Sequence, residues 1–142
     1  MTQFARSLCT IGLCGLLLVS VGCQSGDDRL CEIEGTLRYQ GKPIPRVQVS
    51  FQPDDLSTKS TSLGMTDDNG HFVMMIGSTA GVFKGKVKVF CDDPVAAVGA
   101  KMEVPPDIEA DYRALVRKYG FGKSTHELTI EKTDKNLDLN LE

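Results

Sequence analysis

The 142-residue chain has no tryptophan, only two histidines and few aromatic residues (6%), and its formal net charge is −3. Nucleic-acid binding requires a basic surface, so the mildly acidic balance argues against a DNA- or RNA-binding protein. The scarcity of aromatic side chains is unfavourable for a platform on which bases or sugars stack. Apolar residues make up 41% and charged residues 25% of the chain, which is ordinary for a globular domain and atypical of a disordered one.

The sequence also lacks the motifs that mark catalytic or cofactor sites. No serine lies in a Gly-x-Ser-x-Gly or Ser-x-x-Lys pattern, and there is no phosphate-binding loop, dinucleotide fingerprint or zinc-ligand spacing. His71 follows a turn glycine and His126 opens a strand, positions where a histidine is ordinarily exposed or structural. We therefore expect a protein without enzymatic activity and without a cofactor.

Residues 1–22 are predicted to be a lipoprotein signal peptide. One basic residue, Arg6, precedes an uncharged run from Leu8 to Val21, which spans about 21 Å as a helix and is too short to cross a hydrocarbon core of about 30 Å. The sequence SVGC at 20–23 resembles the lipobox of bacterial lipoproteins, in which the cysteine is acylated and becomes the mature N-terminus. An ordinary cleaved signal peptide and an uncleaved anchor are the alternatives.

The lipobox resemblance implies lipidation of Cys23 and a polar tether over residues 23–31. Two or three acyl chains would hold the protein stably on a membrane of the cell envelope. Gln24 stands where some bacteria use aspartate to retain lipoproteins at the inner membrane, so an outer membrane is favoured, with the domain in the periplasm or outside the cell. The expected partners are the membrane, through the lipid anchor, and an envelope protein or glycan that the sequence does not identify.

Cysteine usage agrees with export. Cys31 and Cys91 remain as an even pair once the leader cysteines and Cys23 are set aside, as is common in oxidising compartments. Both have the strand parity of core-facing residues. They form either a disulfide or two buried, unreactive thiols.

Alternation of apolar and polar residues dominates residues 32–142 and predicts one all-β domain. Asn69-Gly70 predicts a tight hairpin turn. An insertion over about 95–124 includes a predicted helix over about 108–119, capped by Asp107 and ended by Gly120. The fold expected from these elements is a seven-stranded antiparallel β-sandwich with one short helical insertion. Its strands are predicted over 32–39, 46–52, 59–66, 71–76, 83–91, 125–131 and 136–141.

Four stretches carry a resemblance to a known family. They are GTLRYQGKPI (35–44), VQVSFQP (47–53), TDDNGHF (66–72) and GKVKV (85–89), which resemble the carboxypeptidase regulatory-like domain of the transthyretin-like (prealbumin-like) β-sandwiches. The segment VRKY (116–119) and two terminal strands fit the layout of small bacterial lipoproteins of this type. The resemblance implies a fold for nearly all of 32–142. It implies no particular activity, because such domains serve larger proteins as folding, docking or sugar-contact modules.

Two groups of residues are candidate binding sites. Lys84, Lys86 and Lys88 alternate along one predicted strand, where they either form a solvated face that protects a sheet edge or contact anionic lipid headgroups or an acidic glycan. Three aromatic residues of the insertion, Tyr112, Tyr119 and Phe121, are candidate contacts for a small ligand or carbohydrate. The two tyrosines also suit core packing.

Paired aspartates close two of the predicted strands. They are interpreted as solvated turn residues, and no metal is expected. If a cation does bind, these pairs would have to meet at one end of the sandwich to supply enough oxygen ligands. The residues concerned are Asp54, Asp55, Asp92 and Asp93.

Two functions follow for the whole chain: a non-catalytic, membrane-anchored module that binds or organises another envelope component, or a small-ligand or carbohydrate-binding module.

Overall fold

The computed structural model describes residues 28–142. Strands account for 43% and helices for 12% of this part of the chain, so the predominantly β fold with one α-helix is confirmed. Within it, no helix is long and apolar enough to cross a membrane. The signal peptide over 1–22 and the lipidation of Cys23 lie outside the described residues.

Twelve strands and two helical segments make up the described chain. The strands are β1 (Leu30–Cys31), β2 (Ile33–Tyr39), β3 (Lys42–Pro43), β4 (Gln48–Pro53), β5 (Ser62–Met65), β6 (His71–Val73), β7 (Met75–Ile76), β8 (Thr79–Ala80), β9 (Val82–Phe83), β10 (Gly85–Asp92), β11 (Glu127–Ile130) and β12 (Asp134–Leu141). The helical segments are a 3₁₀ turn, Ala96–Val98, and α1, Glu109–Tyr119.

The strands form two larger sheets and one strand pair. The first sheet has the order β11-β10-β4-β5-β7-β8 and is antiparallel throughout. The second has the order β12-β2-β3, with β6 also paired to β2. β12 runs parallel to β2, which departs from the antiparallel expectation. β11 ends at Ile130, opposite Gly85 at the start of β10, and only residues 131–133 link it to β12. β12 therefore starts at that end of the domain, opposite Ile33 at the start of β2, and runs in the same direction as β2.

The strand count exceeds the predicted seven for two reasons. The short strands β1, β3 and β8 lie outside the predicted strands, and two predicted strands divide where the chain changes sheets. The predicted strand 71–76 divides at buried Met74: β6 pairs with β2 in one sheet, and β7 pairs with β5 in the other. The predicted strand 83–91 divides at Gly85, whose φ of 121° turns the chain from β9 into β10. Alternation of side chains along the sequence does not reveal such a change of partner.

The core lies where the alternation places it. Residues of both larger sheets and of α1 form one buried cluster, and Val49, Phe51 and Leu37 at its centre are completely buried. The inward side chains predicted from the sequence are therefore confirmed. They are Ile33, Leu37, Tyr39, Val47, Val49, Phe51, Val87, Val89, Cys91, Leu139 and Leu141, with Leu137 partly buried.

Helix α1 has the predicted extent, but its ends are built differently. Ile108 is the N-cap residue and no side chain caps the helix, so the predicted cap by Asp107 is wrong. Glu109 and Asp111 in the first turn offset the helix dipole instead. Gly120 ends the helix in an extended conformation, with φ −63° and ψ 165°. A Cβ there would lie 2.6 Å from the carbonyl oxygen of Val116, so glycine is required by close packing.

A second close approach holds β12 against β2. A Cβ on Gly35 would lie 2.3 Å from the carbonyl oxygen of Leu137. The β12 register shifts between Asp134 and Leu137, directly beside this position. The parallel pair therefore depends on the missing side chain at residue 35.

Replacing Gly35 with alanine is expected to lower the free energy of unfolding by about 1–3 kcal/mol, because the methyl group must displace β12. Urea denaturation followed by circular dichroism measures the loss as a lower midpoint at unchanged m. Thr36→Ala, at the next position of the same strand, is the control and should cost less than about 1 kcal/mol. Equal midpoints for the two variants would show that β12 does not pack closely on residue 35.

Candidate functional site

An open cleft lies on the outer face of the six-stranded sheet, on the side away from the core. Its floor is formed by Gln48, Ser50 and Gln52 of β4, which alternate with the core residues Val49 and Phe51. The cleft has a volume of about 470 Å³. That volume falls within the range of small-molecule sites.

An exposed aromatic ring forms one wall of the cleft. Phe90 points to the outer face, next to Ser50 in the register, yet it is only 4% exposed. The ring of Phe121 covers it, with a centroid distance of 5.1 Å and an interplanar angle of 52°. Phe121 itself remains 70% exposed, so its outer face is available to a ligand. Leu63 on β5, opposite Ser50, lines the other side.

Asp92 positions this aromatic wall. Its Oδ1 accepts a hydrogen bond from the backbone N–H of Phe121 at 2.9 Å. Gly120 allows the approach, because a Cβ there would already stand 3.3 Å from the same oxygen. The end of β10 and the end of α1 are therefore joined at the position where Phe121 enters the cleft.

Asp93 points the opposite way and organises the insertion. Its side chain is almost fully buried; Oδ1 accepts from the backbone N–H of Val95, and Oδ2 accepts from the backbone N–H of Met102. The Arg113 guanidinium donates to Oδ2 at 3.0 Å and, through its other terminal nitrogen, to the Met102 carbonyl at 2.9 Å. One carboxylate thus fixes the 94–102 loop to α1, and this loop supplies Pro94, Ala96 and Ala97 to the cleft.

A shallow apolar depression continues the cleft along the outer face. It has a volume of about 290 Å³ and shares Gln48 and Leu63 with the cleft. Met65 and Val73 contribute exposed apolar surface there, with exposed fractions of 50% and 37%. We call these two residues and Leu63 the apolar strip.

The chemistry of the cleft is unfavourable for an anionic ligand. Of the residues that line it, none is lysine, arginine or histidine, and the two carboxylates, Asp92 and Asp93, already accept backbone hydrogen bonds. Amide and hydroxyl side chains of the floor both donate and accept hydrogen bonds. A ligand with hydroxyl groups and one flat apolar face matches these surfaces.

Of the three aromatic candidates from the sequence, Phe121 lines the cleft and the two tyrosines do not. Tyr112 is completely buried, and its hydroxyl donates to the Arg46 carbonyl at 3.3 Å. Burial raises the pKa of Tyr112 above its usual value. Tyr119 is half-buried; its hydroxyl donates to the Glu142 carbonyl, and its ring edge meets His126. Both tyrosines therefore serve packing.

The four candidate cation ligands do not come together. Asp92 lies opposite Gln48, at the start of β4, whereas Asp54 and Asp55 follow the end of β4. The arrangement that a cation would have required of Asp54, Asp55, Asp92 and Asp93 is contradicted, because β4 and β10 are antiparallel and place the two pairs at opposite ends of the sheet. No group of three or more potential metal-ligating side chains occurs in residues 28–142.

Asp55 has a local role in its own loop. Its carboxylate accepts hydrogen bonds from the Ser57 hydroxyl, the Thr58 hydroxyl and the Ser57 backbone N–H. These bonds, the Ser57 hydroxyl first, lower the pKa of Asp55 to about 2. The carboxylate therefore holds the turn after β4.

The three lysines do not form the expected edge. β10 lies between β4 and β11, so Lys86 and Lys88 stand on an interior strand and the edge-protection interpretation is wrong. Lys86 forms an ion pair with Glu127 at 3.3 Å. Lys84 lies in the bend before β10, where its carbonyl accepts a hydrogen bond from the Lys59 ammonium group at 2.9 Å.

Cys31 and Cys91 are both buried free cysteines in the structure. Burial, with a smaller effect of the neighbouring Asp92 charge, raises the pKa of the Cys91 thiol well above its usual value. A buried thiol of this kind is unreactive toward reagents in solution.

The floor and the covered phenylalanine were not among the sequence candidates. The sequence contained one signal for them: Phe90 takes the outward position that follows Lys86 and Lys88 in the alternation. An apolar side chain on a polar sheet face is expected to be buried by another apolar group, which here is the ring of Phe121.

Comparison of the chain with protein-family models, with curated proteins and with solved structures gave no match.

The two adjacent aspartates are expected to differ sharply in their effect on stability. Asp93→Ala should lower the free energy of unfolding by about 2–4 kcal/mol, because it leaves Arg113 and two backbone N–H groups without their acceptor. Asp92→Ala removes one hydrogen bond at a more exposed position and should cost about 1 kcal/mol or less. Chemical denaturation of the two variants makes the comparison. Equal losses would contradict the role given to Asp93.

Proposed function

We propose that the protein is a lipid-anchored, non-catalytic binding module of a bacterial cell envelope, and that its outer-face cleft binds an uncharged saccharide. The observation that carries the proposal is the exposed ring of Phe121 beside a row of amide and hydroxyl groups. An aromatic ring offers a flat surface to the C–H face of a pyranose. The polar row offers donors and acceptors to its hydroxyl groups.

The spacing of the floor residues supports an extended ligand. Gln48, Ser50 and Gln52 are every second residue of β4, so successive side chains are about 6.6–7 Å apart. A chain of sugar units lying along β4 would meet each of them in turn. The absence of cationic side chains from the cleft lining argues against phosphorylated or carboxylated sugars.

We interpret the fold as a transthyretin-like β-sandwich of the carboxypeptidase regulatory-like type. Its support is the resemblance of four sequence stretches, together with a single core to which both larger sheets contribute. In larger proteins such domains include sugar-contact modules, which agrees with the chemistry of the cleft. This likeness of fold is an analogy, and the cleft carries the functional argument.

The apolar strip supports a second candidate function, contact with another envelope protein. Leu63, Met65 and Val73 are exposed side by side on one face, and clustered exposed apolar residues are typical of protein interaction sites. In this second proposal the module organises a partner protein, and Phe121 belongs to the rim of the interface.

The proposed anchor predicts a defined mass for the protein extracted from its own membrane. The mature chain should begin at Cys23 and carry a diacylglyceryl group, because the sequence SVGC resembles a lipobox. Intact-mass spectrometry measures this directly, with Cys23→Ser as the control that should retain residues 1–22. An unmodified mass that begins at another residue would remove the lipid anchor from the proposal.

Phe121→Ala is expected to weaken saccharide binding about tenfold or more, which corresponds to about 1.4 kcal/mol. The reason is the loss of the flat surface at the wall of the cleft. Detergent-solubilised protein is first screened on an array of neutral oligosaccharides, and the best binder is then titrated by calorimetry. Val98→Ala is the matched control, since Val98 is an exposed apolar residue of the same insertion outside the cleft.

Two results would count against the saccharide. One is the absence of binding on the array; the other is equal affinity of wild type and Phe121→Ala. Crosslinking in intact cells to one envelope protein that is lost in Met65→Ser but retained in Phe121→Ala would favour the apolar strip, and with it the protein partner.

A further inference from the structure

The first described residues enter the domain at the end from which β2, β10 and β12 start. The Lys84 N–H donates to the Arg29 carbonyl at 2.9 Å, and β1 pairs with β9 directly before β10. β2 follows β1 after a single residue, so β2 also starts at this end. β12 starts there too, since Asp134 lies opposite Ile33. We call this end of the domain the tethered end.

The aromatic wall of the cleft lies at the opposite end of β10. Asp92, which positions Phe121, is the last residue of that strand. From Lys84 to Asp92 the chain advances about 26 Å at about 3.3 Å per residue. The tethered end and the wall of the cleft are therefore separated by the full length of the sheet.

The segment between Cys23 and the domain is too short to reverse this arrangement. Six residue steps lead from Cys23 to Arg29, and in any conformation they cover at most about 22 Å. With Cys23 acylated at the bilayer surface, an inverted domain would need the full 26 Å to bring Asp92 down to the headgroups. An upright, inverted domain is therefore beyond the reach of this segment, which favours the tethered end as the end nearer the membrane.

We infer that the anchored protein presents its cleft away from the membrane, to a polysaccharide chain in the layer beyond it, and not to a glycolipid of the membrane that holds the anchor. This inference rests on the proposed function, since it takes the lipid anchor and the saccharide site as given. It adds the direction in which the cleft faces and the form in which the sugar is presented.

The orientation is measured with single cysteines in the mature lipidated protein. Lys86→Cys labels the tethered end, and Val98→Cys labels the far end beside the cleft. Cys31 and Cys91 are buried and Cys23 is occupied by lipid, so a thiol-reactive bimane reports only the introduced residue. The protein is reconstituted into phosphatidylethanolamine–phosphatidylglycerol vesicles that contain a headgroup nitroxide lipid.

Bimane at residue 86 is expected to be quenched at least about twofold more than bimane at residue 98. Equal quenching, or stronger quenching at residue 98, would overturn the inference, because the domain would then lie flat or inverted. Circular dichroism of both labelled variants establishes that each is folded. This readout needs no ligand, so it stands even if the saccharide proposal fails in the array.

The source of the sugar is tested with the oligosaccharide selected on the array, coupled either to soluble dextran or to a dialkyl lipid in the same vesicles. The dextran conjugate is expected to bind the anchored protein at least about tenfold more tightly than the lipid conjugate. Tighter binding of the lipid conjugate would overturn the inference while leaving the saccharide site intact. An array without any binder would instead overturn the proposed function.

Discussion

Two adjacent carboxylates at the end of β10 determine the shape of the candidate site. Successive side chains of a strand point to opposite faces, so Asp92 reaches the backbone N–H of Phe121 on the outer side and Asp93 reaches Arg113 and Met102 on the inner side. A residue pair that resembles a simple strand terminator therefore fixes both Phe121 and the 94–102 loop beside the cleft. The floor of the cleft needs no such support, because β4 is held by β5 and β10 in the middle of the sheet.

This arrangement separates the stability of the domain from its recognition surface. The ion pair between buried Asp93 and partly exposed Arg113, together with the core tyrosine Tyr112, holds the insertion on the sheet. Phe121 and the floor residues contribute little to the core. Such a division lets the ligand-facing residues vary without loss of the fold. It also explains why the aromatic residues of the insertion differ so much in exposure although they lie within ten residues of one another.

The sequence predicted the fold class, the inward face of each long strand and the extent of α1, because burial on one face imposes a period that a single sequence displays. It did not predict the sheet changes at Met74 and Gly85 or the parallel placement of β12, since strand partners are set by contacts between distant residues. For the same reason it named Phe121 but not Gln48, Ser50 and Gln52, which read as ordinary solvent-facing residues until the insertion covers them. The cation hypothesis failed on the direction of β4 relative to β10, which alternation does not encode.

The parallel pairing of β2 with β12 joins the first long strand of the domain to the last. Contacts between residues so far apart in sequence form late and slow the folding of a chain. The second sheet stays incomplete until the final residues, Leu139 and Leu141, are available to pair and to fill the core. Completion of the domain therefore waits for β12, because one side of β2 has no strand partner until residues 134–141 can pair with it.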